Sequence, residues 1–204
     1  MNFTRIYALL GLVALLQACA SAPISQPVVN VSAKVLYQQH LQHIGEIQQF
    51  TIKGRIGVQA EGKGFSGAIT WQHDNLTDDI SLFSPLGGQV ASIKKTSGEV
   101  TLEDAKGNRI SAMDAESLTQ TTLGWRLPLT GLADWSLGRP ANSPIQSSAW
   151  DEQGHLLTLK QDGWAIEYQN YAEQNGYFLP SKILLKNDKV TLKLLVEKWE
   201  AVKN

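Results

Sequence analysis

The chain has 204 residues and carries 18 Lys and Arg against 19 Asp and Glu. That balance excludes the basic face by which proteins normally hold nucleic acid, and a single cysteine, Cys19, excludes an intramolecular disulfide. Six tryptophans are many for this size, but indole suits cores, membrane interfaces and apolar pockets alike, so their number does not choose among these.

At the N-terminus Arg5 precedes an apolar run from Ile6 to Leu16, followed by Gln17-Ala18-Cys19-Ala20-Ser21. One positive charge before a short apolar run is the pattern of an export signal, too short to remain as a membrane-spanning helix. Small residues before the cut and a cysteine just after it resemble the lipobox of bacterial lipoproteins, where the thiol is diacylated and the new amino terminus acylated. Gln17 departs from the small or apolar residue usual at that place. The other reading is an ordinary secreted protein with a cysteine there. On the lipobox reading residues 1–18 are removed, and Cys19 carries its lipid covalently with no other cofactor. Each buried methylene contributes roughly 0.8 kcal/mol to membrane binding, and two or three chains hold far longer than one. Lipoproteins of enterobacteria with Asp directly after the cysteine stay on the inner membrane. Ala20 and Ser21 stand here instead, which implies the outer membrane and a periplasm-facing domain.

Residues 19–30 are small, polar and proline-bearing, and read as a lipidated flexible tether. Residues 31–204 then read as a single domain, large enough to bury a real core. Val35, Leu36, Leu41, Ile44 and Ile47 recur at helical spacing, which predicts a helix over 32–49 with Ser32 as N-cap. After that the period changes to two. Phe50, Ile52, Ile56 and Val58 alternate with polar residues, as do Phe65, Ile69 and Trp71, then Ile80 and Leu82, Ala91 and Ile93, Val100 and Leu102, and Ile110. Asp114 caps a predicted short helix over 114–122, and a second over 130–137 is stopped by Gly138-Arg139-Pro140. Strands resume at 147–152, 155–161, 164–170, 181–186 and 190–198. Some eleven antiparallel strands are too many for a flat open sheet. The expected fold is mainly β: a strongly curved half-barrel of about eleven strands, with helices plugging its concave apolar face. Such a fold can enclose an apolar cavity.

Motifs with catalytic or ligand-binding meaning fail on context. Gly62-Lys63-Gly64-Phe65-Ser66-Gly67 matches GxGxxG, but a dinucleotide site needs a helix next, and Ala68-Ile69-Thr70-Trp71 continues as a strand. His40 and His43 can share a helix face, yet His73 and His155 lack ligand spacing, so a metal is not expected. Asp78-Asp79 and Glu103-Asp104 are strand neighbours that point to opposite faces, whereas glycosidases need two carboxylates facing each other. No catalytic constellation is present, and the chain does not read as an enzyme.

Ser84-Pro85-Leu86-Gly87-Gly88 is a tight-turn sequence with Leu86 at its tip. Two readings are open: Leu86 folds back onto the core, or it is an apolar finger for lipid. A fully buried leucine contributes roughly 1.5–3 kcal/mol, enough for a transient touch on a membrane and too little to anchor.

The lipobox Cys19, the helix before the first strand, the segment from Ile80 to Gly87, the Val100–Asn108 hairpin, Asp114-Ala-Glu116 and Trp135-Ser-Leu-Gly-Arg-Pro140 together resemble the LolB family. The resemblance runs in order over the whole chain. It implies an outer-membrane lipoprotein that accepts lipidated N-termini of other lipoproteins from the periplasmic carrier LolA, holds their acyl chains in an apolar cavity, and inserts them into the outer membrane. It places the membrane-insertion loop on Pro85, Leu86 and Gly87, with Ser84 where the family often has Asn. Strand alternation offers Ile69, Trp71, Ile80, Leu82 and Trp164 as cavity lining, each also readable as ordinary core. A monomer is expected. The alternative is a non-catalytic outer-membrane lipoprotein that binds another lipid or scaffolds an envelope complex.

Overall fold

The structure is a computed structural model and describes residues 31–123 and 126–203. The signal segment, the tether and Cys19 lie outside the described residues. Helix α1 spans Val31–Gly45. Six strands follow: β1 Ile47–Ala60, β2 Lys63–Asp74, β3 Thr77–Phe83, β4 Gln89–Lys95, β5 Val100–Asp104 and β6 Arg109–Ala112. Helices α2 Ala115–Leu123 and α3 Leu129–Ser136 come next, and then β7 Ile145–Trp150, β8 Leu156–Gln161, β9 Trp164–Gln174, β10 Tyr177–Lys186 and β11 Val190–Lys203.

All eleven strands form one antiparallel sheet, ordered β6-β5-β4-β3-β2-β1-β11-β10-β9-β8-β7. Each half of the chain is a meander of neighbouring hairpins, and β1 against β11 is the seam that joins them. The edges β6 and β7 do not pair, so the barrel stays open. The alternation seen in the sequence is the inward face: Phe50, Ile52, Ile56 and Val58 on β1 are buried together with Leu192, Leu194 and Val196 on β11. One apolar cluster runs from these strands through Leu118, Leu127, Leu129, Leu132 and Trp135 of the helical segment. The helices therefore cover the concave side of a curved sheet, as the expected fold class has it.

Three local expectations need correction. Helix α1 ends at Gly45 and Ile47 opens β1 opposite Lys203, so the predicted last turn of the helix is strand. Ile47 is apolar on both periodicities, and pairing with β11 decides between them. Ser32 lies inside the helix, which starts at Val31, and is not its N-cap. Strands β9 and β10 also run further than 170 and 181 and meet at Asn175-Gly176, both at positive φ. Asn-Gly is the strongest short hairpin signal; Pro180 masks it by arguing against a strand. The sheet accepts Pro180 because the β9–β10 register shifts just after it.

Other turns match their chemistry. Asp114 Oδ1 accepts the Ser117 backbone N–H at 2.7 Å, as an N-cap should. Gly138 stands at φ 79° just past α3. Glu61-Gly62, both at positive φ, turn β1 into β2, so the GxGxxG run is a hairpin that continues as strand. Ile110, expected on an inner face, is 47 % exposed on edge strand β6.

Candidate functional site

The concave face holds the predicted lining. Ile69 pairs with Leu82 and Trp71 with Ile80 across β2 and β3, and all four are buried in one inward patch. Trp164 is also buried, but on β9 in the other half of the sheet, where its ring lies 6.5 Å from that of Trp135 on α3. The structure thus brings four of the five together and sets Trp164 apart, against the helical cover. A cleft of about 300 Å³ reaches Trp164 and Trp135 from the surface. That is the lower end of ligand-sized pockets, so room for several acyl chains requires the helices to move.

Leu86 is 99 % exposed, which excludes the reading that it folds back onto the core in this state. The turn closes on itself: the Ser84 N–H donates to the Gly88 carbonyl at 2.7 Å and the Gly87 N–H to the Ser84 carbonyl at 2.9 Å. Pro85 follows the first turn residue and Gly87 takes φ 87°, the positions that a three-residue hairpin loop asks of them. The backbone is satisfied within the loop, so Leu86 stands out without strain.

Among the described residues four polar side chains are buried, Asp78, Thr119, Ser136 and Gln161, and the sequence marked none of them as such. Asp78 is 3 % exposed and lies beside the inward patch. Its Oδ1 accepts from Trp71 Nε1 at 2.9 Å and meets His73 Nδ1 at 2.7 Å, while Lys95 Nζ stands 3.5 Å from Oδ2. Burial alone pushes its carboxyl up, but hydrogen bonds from His73 and Trp71 and the charges of His73 and Lys95 outweigh it and hold the carboxyl below its ordinary value. Asp79, its neighbour, points outward to Lys94 at 3.4 Å, so the adjacent carboxylates do sit on opposite faces. Gln161 is fully buried as well. It accepts from Trp135 Nε1 at 2.8 Å and from the Ala141 N–H at 2.9 Å, and donates to the carbonyls of Ala141 and Ser143.

Helix α1 packs on the far end of β7–β10. Tyr37 stacks on Trp150 at 4.6 Å, His40 meets His155 edge-on at 4.9 Å, and His43 lies 4.7 Å from Tyr177. The two histidines of α1 thus have different neighbours. Burial first, and then the charges of His155 and His43, push His40 down to about 4 against a weaker pull from Asp151. In the unfolded chain His40 takes its proton near its ordinary value of 6.5. Between those two values the unfolded state binds more protons, so stability must fall as pH drops through that window. Discounted for the partial exposure of His40, the expected loss is on the order of 2 kcal/mol between pH 6.5 and 4, read from urea unfolding across that range. His40→Gln should flatten the curve; an unchanged slope in that variant would assign the loss to other groups. Asp78 acts lower down, its contribution being present above the ordinary carboxylate range and lost as pH falls below it.

Comparison with known proteins agrees with this arrangement. Residues 48–199 match the family model described as outer membrane lipoprotein LolB. The outer-membrane lipoprotein LolB of Pseudomonas syringae pv. syringae is 33 % identical over 198 residues, covering 97 % of both chains. That of Pseudomonas aeruginosa is 33 % identical over 196 residues, covering 96 % of both. Among solved structures, a LolA superfamily protein from Nitrosomonas europaea shares the fold with a TM-score of 0.52 at 10 % identity, over 82 % of this chain and 94 % of that one. A DUF1329 family protein from Desulfovibrio piger does so with a TM-score of 0.52 at 6 % identity, over 83 % and 92 %. From the family match and the full-length relatives, the chain belongs to the LolB family of outer membrane lipoproteins.

Proposed function

We propose that this protein receives lipoproteins from a soluble carrier of the LolA type, holds their acyl chains under its helical cover, and releases them into the outer membrane. The observation that carries the reading is a curved sheet with a continuous apolar concave face, closed by two short helices, with a fully exposed leucine on its rim. Acyl chains in water would cost tens of kcal/mol at about 0.8 per methylene, so cargo must pass between apolar surroundings. The work is transfer rather than catalysis, and direction comes from graded affinity, with the carrier weaker than the receptor and the receptor weaker than the bilayer. Ile69, Trp71, Ile80, Leu82 and Trp164 line the space once the cover lifts, and Pro85, Leu86 and Gly87 form the loop that enters lipid. Cys19, acylated, keeps the receptor beside its target and raises its local concentration.

Cys19→Ala is expected to give a soluble periplasmic protein that still takes cargo from the carrier. Fractionation and a carrier-to-receptor transfer assay check this. A soluble form that binds neither carrier-borne cargo nor an acylated peptide, while unfolding as the wild type does, would leave the alternative of an envelope scaffold.

A further inference from the structure

In this antiparallel sheet the β1–β2, β3–β4, β8–β9 and β10–β11 turns all fall at one end of the strands, and the β2–β3 and β9–β10 turns fall at the other. Leu86 therefore shares a rim with Asp162-Gly163 and with residues 187–189. The cleft that reaches Trp135 and Trp164 opens on the same rim, with Asp162 and Asn187 on one wall and Arg126 and Pro128, before α3, on the other. A second cleft of about 530 Å³ adjoins it and shares Arg126, Asp162 and Asn187. Behind the indole of Trp135 lies the apolar interior.

Trp135 is held in place by two local features. Gly131, one turn earlier on α3, has no Cβ, and a Cβ there would stand 2.4 Å from the Trp135 ring. The ring consequently lies flat on its own helix. Its N–H donates to Gln161, which is fully buried. Helix α3, which carries it, is eight residues long and α2 before it nine, each too short to be stable alone. They are tied to each other: the Leu127 N–H donates to Thr119 Oγ1 at 2.9 Å, and Thr130 Oγ1 donates to Glu116 at 3.1 Å.

The energetics of release are lopsided. When the indole leaves, Gln161 Oε1 keeps the Ala141 N–H as donor, so no buried acceptor is orphaned. The indole N–H, swung to the rim, finds water. The large penalty for an unsatisfied buried group is thus avoided on both sides; opening is opposed by the modest net value of one hydrogen bond and by exposure of the buried indole, which an acyl chain taking its place offsets.

We infer that Trp135, latched by Gln161, is the gate of an acyl-chain port that opens between Arg126 and Pro128, before α3, and the β8–β9 and β10–β11 turns, on the rim that carries Leu86. This rests on the receptor reading above and specifies its route. Cargo chains leave on the same rim as the loop that enters lipid.

The test uses the mature chain with Cys19→Ala and a synthetic triacylated cysteinyl peptide bearing a diazirine at the end of each acyl chain. Capture is measured first, by gel filtration. Photolabelling during uptake, mapped by mass spectrometry, should then mark Trp135, Trp164 and Pro128. Trp135→Phe removes the donor and leaves a smaller aromatic ring; it should speed uptake by about two- to tenfold, the range of one neutral hydrogen bond. Labels confined to the opposite rim, around Leu76 and Gly176, would overturn the port while leaving the receptor reading intact. An unchanged uptake rate in Trp135→Phe with a lowered Tm would make the bond merely structural and overturn the gate. Failure of the parent chain to capture the peptide would remove the receptor reading and the gate together.

Discussion

Leu86→Glu is expected to leave capture of acylated cargo at the level of the parent protein and to slow its transfer into liposomes by at least tenfold. The two halves of that expectation have separate causes. Capture is spared because the 84–88 loop satisfies its own backbone hydrogen bonds and Leu86 touches nothing. A substitution at such a site changes stability by no more than about 0.5 kcal/mol. Transfer is lost because burying the leucine in lipid contributes roughly 1.5–3 kcal/mol, and about 1.4 kcal/mol is tenfold in rate. Glutamate forfeits that contribution and adds the cost of taking a carboxylate out of water. Leu86→Phe, still apolar, should transfer near normally. Liposome delivery at the parent rate by Leu86→Glu would take this loop out of the release step.

The second large effect concerns the seam between the halves of the chain. Gly54→Val should destabilise the domain by about 3 kcal/mol or more, a large part of the 5–15 kcal/mol typical of a native domain. Gly54 lies where β1 pairs with both β2 and β11, beside a register shift between Lys53 and Gly54. A Cβ there would stand 2.1 Å from the Leu195 carbonyl oxygen. That neighbour is backbone in the middle of a ladder, and it cannot yield without parting the strands. Gly57, three pairs further along β1, has open space where a Cβ would go. Gly57→Ala should therefore stay within about 0.5 kcal/mol of the parent. Urea unfolding of the two variants checks the contrast. Equal midpoints for Gly54→Val and the parent would mean the β1–β11 approach is looser than described. The expected defect is in folding, so it should lower cargo capture in proportion to the folded fraction, unlike the selective defect of Leu86→Glu.

The site was legible in unequal measure. The loop at Pro85-Leu86-Gly87 could be read as a tight turn because proline and glycine carry their backbone preferences with them. Whether its leucine points out or in depends on what surrounds the turn, and only the fold answers that. Ile69, Trp71, Ile80 and Leu82 could be assigned to one face by alternation, since the period of a strand is local. Their meeting as cross-strand pairs depends on register. Trp164 carried the same signal and yet sits in the other half of the sheet, against α3.

The chain's own residues determined the strand pattern, most of the turns, the cap at Asp114 and the stop at Gly138, because each rests on preferences that act within a few positions. They also carried the ordered set of segments that marks the LolB family. The end of α1 at Gly45, the run of β10 through Pro180, and the burial of Asp78 and Gln161 were decided by tertiary structure. Each depends on a partner supplied by strand pairing or packing: β11 for the start of β1, a register shift against β9 for Pro180, Trp71 on β2 and Lys95 on β4 for Asp78, Trp135 and Ala141 for Gln161. A buried polar residue looks like a surface one until its partner arrives. Local preference cannot place it, because only folding brings together the groups that satisfy it.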